Sequence, residues 1–183
     1  MIRFEQARML VLAGTMGFLA TAIPSIANSH SASDAYLTLT ISSAVTGQYV
    51  IHGQWDIALR DLDFVLKLDD DGDGRVTWGE VRKHRAAIED YAYRYIQAGG
   101  GEGERCSIKP QRQMIDDHAD GAYAALFFDI ACPHAPRKLS LEYTLFFKLD
   151  PSHRGIFVMN NGTDVATALL SPENSKIDLA LSQ

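Results

Sequence analysis

Cysteine is scarce in this chain: of 183 residues only Cys106 and Cys132 are cysteines, and no C-x-x-C pair occurs, which removes a dithiol redox centre. Positive charge is also short. Seventeen Lys and Arg stand against 23 Asp and Glu, a net charge of −6, and a nucleic-acid partner would call for a basic face. No H-E-x-x-H, G-x-S-x-G, P-loop or glycine-rich dinucleotide fingerprint is present, so the expectation is a protein that is not an enzyme. Internal repeats and low-complexity segments are missing too. The marked apolar run near the start, residues 9–23 (MLVLAGTMGFLATAI), is 15 residues long, short of the ~20 that a spanning helix needs.

That run does have a reading. Arg3 and Arg8 precede it, Pro24 ends it, and the small residues of SIANSH follow. A positive start, an apolar middle and small residues at a cut describe a secretory signal peptide. Residues 1–29 are therefore expected to be removed, with Ser29 and Ala27, or Ala27 and Ser25, suiting the peptidase; an uncleaved anchor is the alternative. The mature chain, residues 30–183, would be periplasmic or secreted and would have no transmembrane domain. In an oxidising compartment Cys106 and Cys132 are most simply one disulfide closing 26 positions, with two buried free thiols as the alternative.

Hydrophobic residues make up 46% of the chain, enough for one core. DAYLTLTI (34–41) alternates with a period of two, and GQYVIHGQW (47–55) is a weaker strand pattern. The period changes in DIALRDLDFVLKL (56–68), where Ile57, Leu59, Leu62, Phe64, Val65 and Leu68 follow a helical repeat. Val81, Ile88, Tyr91, Ala92 and Tyr95 line a stripe of a second helix. The glycines of AGGGEGE (98–104) read as a helix stop and loop. Thereafter CSIKPQRQM, AYAALFFDIAC, LSLEYTLFFKL, GIFVM, DVATALL and KIDLAL read as short strands, with DDHADG and NNGT as turns. The expected fold is α+β: an antiparallel, Ig-like β-sandwich with a helix–loop–helix inserted at about 56–97. Two strands alone are not stable in water, so the first two should join the later sheet.

Between the helices lies LDDDGDGRVTWGEV (68–81), which crowds carboxylates that would repel without a cation. Its spacing is D-x-D-x-D-G with a glutamate at the twelfth place, the EF-hand calcium loop. Asp69, Asp71 and Asp73 at positions 1, 3 and 5 each offer an oxygen, and Gly74 permits the sharp bend. Arg75 at position 7 would give its backbone carbonyl, Thr77 at position 9 would act through a water, and Glu80 at position 12 would close the shell with both oxygens. Ca²⁺ takes six to eight oxygen ligands in flexible geometry, and a bidentate twelfth Glu favours it over Mg²⁺. Asp70 faces solvent and adds to the field. A second loop to pair with is not evident: DDHADG imitates a loop start, but its twelfth position is Phe127, so Val76 at position 8 should pack on the β-structure or on another chain.

The six histidines, His30, His52, His84, His118, His134 and His153, form no ligand spacing. His118, His134 and His153 fall in or near expected loops and read as surface residues. A mature N-terminus beginning at His30 could chelate copper or nickel, although a polar start is the plainer reading. Asn161-Gly162-Thr163 is a formal glycosylation sequon that is explained as a turn.

Several phrases together, SDAYLTLTI, GQWDIALRDLDFVLKLDDDGDGRVTWGEV, DHADGAYAALFFDIACP and LEYTLFFKLDPSHRGIF, resemble the extracytoplasmic N-terminal region of HupE/UreJ-like bacterial membrane proteins. The resemblance covers most of residues 33–156, and WDIALRDLD and LDPSHRG carry more of it than the widespread calcium loop. It implies a nickel, hydrogenase or urease accessory context, with transport residing in a helical membrane domain for which this sequence has no counterpart. The matching metal positions are Asp69, Asp71, Asp73, Arg75 and Glu80. The expectation is an exported Ca²⁺-binding module with a structural or interaction role, its partner an unidentified envelope or membrane protein. The alternative is a periplasmic accessory protein handling nickel or copper through histidines.

Overall fold

The computed structural model of the protein describes residues 33–43, 49–100, 103–162 and 164–181. The expected signal peptide and His30 lie outside them. The alternating run forms β1 (Asp34–Ser43), which buries Ala35, Leu37 and Leu39 completely while the intervening side chains face the other way, as a pleated strand requires. It pairs antiparallel with β2 (Tyr49–Ala58), from Ala35 opposite Ile57 to Ser43 opposite Tyr49. The helical pattern expected from Asp56 starts later, because residues 56–58 remain in β2. The chain then leaves the sheet through α1 (Leu59–Leu66), the acidic loop, α2 (Trp78–Lys83), α3 (Arg85–Ala92) and a 3₁₀ turn at Tyr93–Tyr95.

Seven strands follow: β3 (Ile96–Gly100), β4 (Arg105–His118), β5 (Gly121–Ala131), β6 (Lys138–Tyr143), β7 (Arg154–Asn161), β8 (Asp164–Leu170) and β9 (Lys176–Ala180). Among the described residues the nine strands make one sheet in the order β8-β7-β1-β2-β5-β4-β3-β6-β9. The sheet is mixed, since β1 and β7 run parallel, and it curls into a nearly closed, barrel-like form. The two strands at the ends of the order, β8 and β9, are joined by a short turn in which Ser171 and Asn174 pair.

The β-rich expectation is met; the Ig-like sandwich of two antiparallel sheets is not. The physical reason lies in β4. It has 14 residues, enough to pair with β5 along most of its length and with β3 at its start, through Ala98–Cys106 and Gly99–Arg105. The register slips between Pro110 and Arg112, where proline removes a ladder donor and an irregularity lets a strand bend. One strand thus carries the sheet around a corner instead of ending one layer and starting another.

Two further expectations are corrected. The glycine-rich stretch at 98–104 is not only a loop, because Ile96–Gly100 is β3, paired to β6 from Ile96–Tyr143 to Gly100–Leu139. A Cβ at Gly99 would stand 2.8 Å from Ser140 Oγ and 3.0 Å from the Glu104 carbonyl; glycine serves close strand approach there. The run LSLEYTLFFKL does not stay extended. Strand β6 ends at Tyr143, Phe146 takes φ 58°, and the N–H groups of Leu149 and Asp150 both bond the Phe146 carbonyl at 2.8 Å.

Trp55, Phe128, Tyr143 and Phe157 lie fully buried inside the curl, and Leu62, Leu68, Val81 and Ile88 from the helical insertion are buried in the same core. At ~1.5–3 kcal/mol for each large apolar side chain, these four fasten the insertion to the sheet and give the acidic loop a rigid base. Cys106 and Cys132 form the expected disulfide. No helix among the described residues is long and apolar enough to cross a membrane.

Candidate metal centre

The loop between α1 and α2 is built by carboxylates that collect backbone N–H groups. Helix α1 ends at Lys67 in the left-handed region, φ 56°, with its N–H on the Asp63 carbonyl. Asp63 Oδ1 then accepts from the N–H groups of Leu68 (2.7 Å) and Asp69 (3.0 Å). Asp69 is the hub. Its Oδ1 accepts from the N–H of Gly72 (2.8 Å) and of Asp73 (3.2 Å), and its Oδ2 accepts from that of Gly74 (2.8 Å). Gly72 and Gly74 have φ of 72° and 81°, a region that side-chain-bearing residues enter only at a cost. The Asp71 carboxylate accepts from Asp73 N–H at 3.2 Å, and that of Asp73 from Arg75 N–H at 2.8 Å.

These turns aim the side chains of Asp69, Asp71 and Asp73 at one another, so that an oxygen from each lies within 4.8 Å of the others. Glu80 closes the loop from the far side. Its Oε1 accepts from Asp70 N–H (2.8 Å) and its Oε2 from the N–H and hydroxyl of Thr77 (both 2.8 Å), while Glu80 N–H reaches back to Thr77 Oγ1 at 3.4 Å. The pair is a capping box that starts α2. Glu80 is thus held over the loop but stands apart from the three-aspartate group, and Thr77, expected to act through water, has its hydroxyl on Glu80. The Arg75 side chain is exposed.

Charge follows this geometry. Glu80 is held below the usual glutamate range by the N–H and hydroxyl of Thr77 and the N–H of Asp70. Asp70 is likewise lowered, by the Lys83 ammonium at 2.8 Å and by His84 at 3.0 Å; it points away to pair with α2 and the helix break. Asp71 is raised. The N–H of Asp73, the largest single influence, pulls it down, but the Asp73 carboxylate, desolvation and the Glu80 carboxylate outweigh that. Hard oxygen donors of this kind can hold Ca²⁺ or Mg²⁺.

Val76, at the eighth place, is half-buried against the core and lines a cleft with Leu59, Ala122 and Tyr123 at the β4–β5 hairpin. DDHADG is that hairpin, with His118 opposite Gly121. The histidines divide. His52 meets Asp129, His84 meets Asp70, and His134 meets Glu104, each a single carboxylate. His153, expected at the surface, is completely buried, with Ser33 Oγ at Nδ1 and Tyr143 Oη at Nε2, both 2.7 Å. The polar neighbours Asp150, Ser152 and Arg154 carry no local signal of that burial. Asp63 was also not singled out, since its role depends on the chain folding back on α1.

No protein-family model matches the chain, and no curated protein sequence matches it. The HupE/UreJ-like resemblance therefore rests on the sequence phrases alone.

Proposed function

We propose that the chain is an exported calcium-binding module in which a single EF-hand loop fixes the helix–loop–helix against the β-structure. The observation that carries this reading is the convergence of Asp69, Asp71 and Asp73 on one point, with Glu80 poised across the loop. Leu62 roots α1 and Val81 roots α2 in the core, where Leu68 at the start of the loop and Ile88 on α3 are also buried. Ca²⁺ would relieve the repulsion that keeps Asp71 raised, and drawing Glu80 into the coordination shell would move α2 relative to α1. Phe64 on α1 is 71% exposed, an apolar side chain available to a protein partner in the envelope. The disulfide supports an oxidising compartment. The role is structural and interactive, not enzymatic.

Trp78, at the tenth loop position and 45% exposed, reports on this directly. Its fluorescence should change on adding Ca²⁺, and the change should be lost in Asp69→Ala and Glu80→Gln. A response that survives Asp69→Ala would place the ion elsewhere. The alternative, nickel or copper handling, would need histidines to act together. Among the described residues no group of three or more ligand side chains contains two histidines: His52, His84 and His134 each face one carboxylate, and His118 lies with Asp56 and Asp116, which favours the calcium reading.

A further inference from the structure

Away from the acidic loop, on the outward face of the β2–β5–β4 region, Asp56, Asp116 and His118 each place one ligand atom within 4.8 Å of the others. We propose that they form a second metal site, for a borderline divalent ion of the Zn²⁺ class. Strand alternation brings them together. Asp56 projects outward from β2, and its neighbour Ala125 on β5 is paired in turn with Met114 on β4. Only a methyl group stands between β2 and β4 at that level, so Asp56 reaches toward Asp116 and His118, which share the outward face of β4 at alternate positions.

The site is built, not merely acidic. Asp56 is only 7% exposed although it points away from the core, and its ion-pair partner is His118 itself. A carboxylate this desolvated beside a second carboxylate needs a counter-charge against it. Gln54 Nε2 donates to both Asp56 oxygens at 2.9 and 3.1 Å, the orienting contact that metal-bound carboxylates depend on. The His118 ring is clamped, stacked on Tyr123 at 4.1 Å and set 5.0 Å from Tyr36.

Its Nε2 lies 3.6 Å from Asp56 Oδ2. That gap is too long for a hydrogen bond of ~2.7–3.2 Å. Two ligands bonded at ~2.0–2.1 Å to a tetrahedral ion stand about 3.3–3.4 Å apart, so a small shift admits one. Imidazole nitrogen with two carboxylates suits Zn²⁺, Co²⁺ or Ni²⁺ and disfavours Ca²⁺, which takes oxygen ligands. Three protein ligands leave positions open to water.

The test uses protein purified from expression of the whole chain, with millimolar Ca²⁺ present to occupy the acidic loop, titrated with Zn²⁺ by calorimetry and with Co²⁺ by visible absorption. One Zn²⁺ per chain is expected. Its affinity should fall at least tenfold in His118→Ala and in Asp116→Asn, and about tenfold or more in Gln54→Ala, but stay unchanged in His52→Ala and Asp69→Ala. The Co²⁺ d–d bands should vanish with His118→Ala. Circular dichroism checks each fold, and the exposed Asp116→Asn decides the matter if His118→Ala does not fold. Zn²⁺ bound equally by wild type and Asp116→Asn, no binding by wild type, or binding abolished by Asp69→Ala would each overturn the proposal; the last would assign the ion to the loop. The calcium reading stands or falls separately, on Trp78 and Asp69→Ala.

Discussion

Acidification should weaken the fold through one buried ring. His153 is fully buried, with Phe146 edge-on at 5.1 Å and Tyr143 parallel at 6.0 Å. A consistent set of donors runs through it: Tyr143 Oη–H donates to Nε2, Nδ1–H donates to Ser33 Oγ, and Ser33 Oγ–H donates to Asp61 Oδ2 at 2.9 Å. That order requires a neutral imidazole. Burial lowers its pKa from 6.5 to about 4, with Asp150 opposing and Arg154 reinforcing the fall. In the unfolded chain the ring accepts a proton as pH drops past 6.5, while in the folded chain it resists until about 4. The unfolded state therefore binds more protons throughout this window, and stability falls as pH falls.

The full loss is about 3 kcal/mol, of which about 2 kcal/mol appears between pH 7 and pH 5. Asp61, raised by burial against the Ser33 hydrogen bond, works the other way, because its protonation favours the folded state. The comparison is therefore made between wild type and His153→Gln, by urea unfolding at the two pH values with a chelator present. Wild type should lose about 2 kcal/mol more than the variant between pH 7 and pH 5. Equal losses would refute the neutral, buried imidazole.

Three other perturbations have defined outcomes. Replacing Cys106 and Cys132 by alanine opens a 26-position loop, which should cost about 3.5 kcal/mol and lower the melting temperature by roughly 7–14 °C; calorimetry measures it, and an unchanged melting temperature would mean the bridge contributes nothing. Gly53→Ala puts a Cβ into the Phe128 ring, which is buried and cannot swing out, so a loss of about 1–3 kcal/mol is expected in urea unfolding. Thr77→Ala removes the α2 cap and the hydroxyl that holds Glu80; about 1 kcal/mol of stability should go, together with some calcium affinity.

Local patterns were legible where local physics decides. The alternation in DAYLTLTI set which side of β1 is buried, the even cysteine pair led to the disulfide, and Leu62, Val81 and Ile88 fell on the buried faces of the helices, while Leu68 is buried just past the end of α1. The loop spacing marked Asp69, Asp71 and Asp73 as a group. What could not be read depends on contacts between distant parts of the chain. Gly99 looks like flexibility until Ser140 is seen against it. The parallel pairing of β1 with β7 has no signature in either strand, and neither does the double pairing of β4 with β5 and β3 that makes a single curled sheet of an expected sandwich. His153 sits in a turn-rich phrase that suggests the surface, yet Tyr143 and Ser33 enclose it. Asp116 and His118 belong to DDHADG, which reads as a turn although β4 extends to His118, and Asp56 reaches them only across β5.

The account's central claim is that the carboxylates of the loop cage one Ca²⁺, and titration calorimetry on the purified protein tests it most directly. One Ca²⁺ per chain is predicted, with a dissociation constant of ~10⁻⁴–10⁻³ M as in extracellular modules, a rise in melting temperature, and loss of both in Asp69→Ala. Folded protein that shows neither heat nor a melting shift at millimolar Ca²⁺ would contradict it.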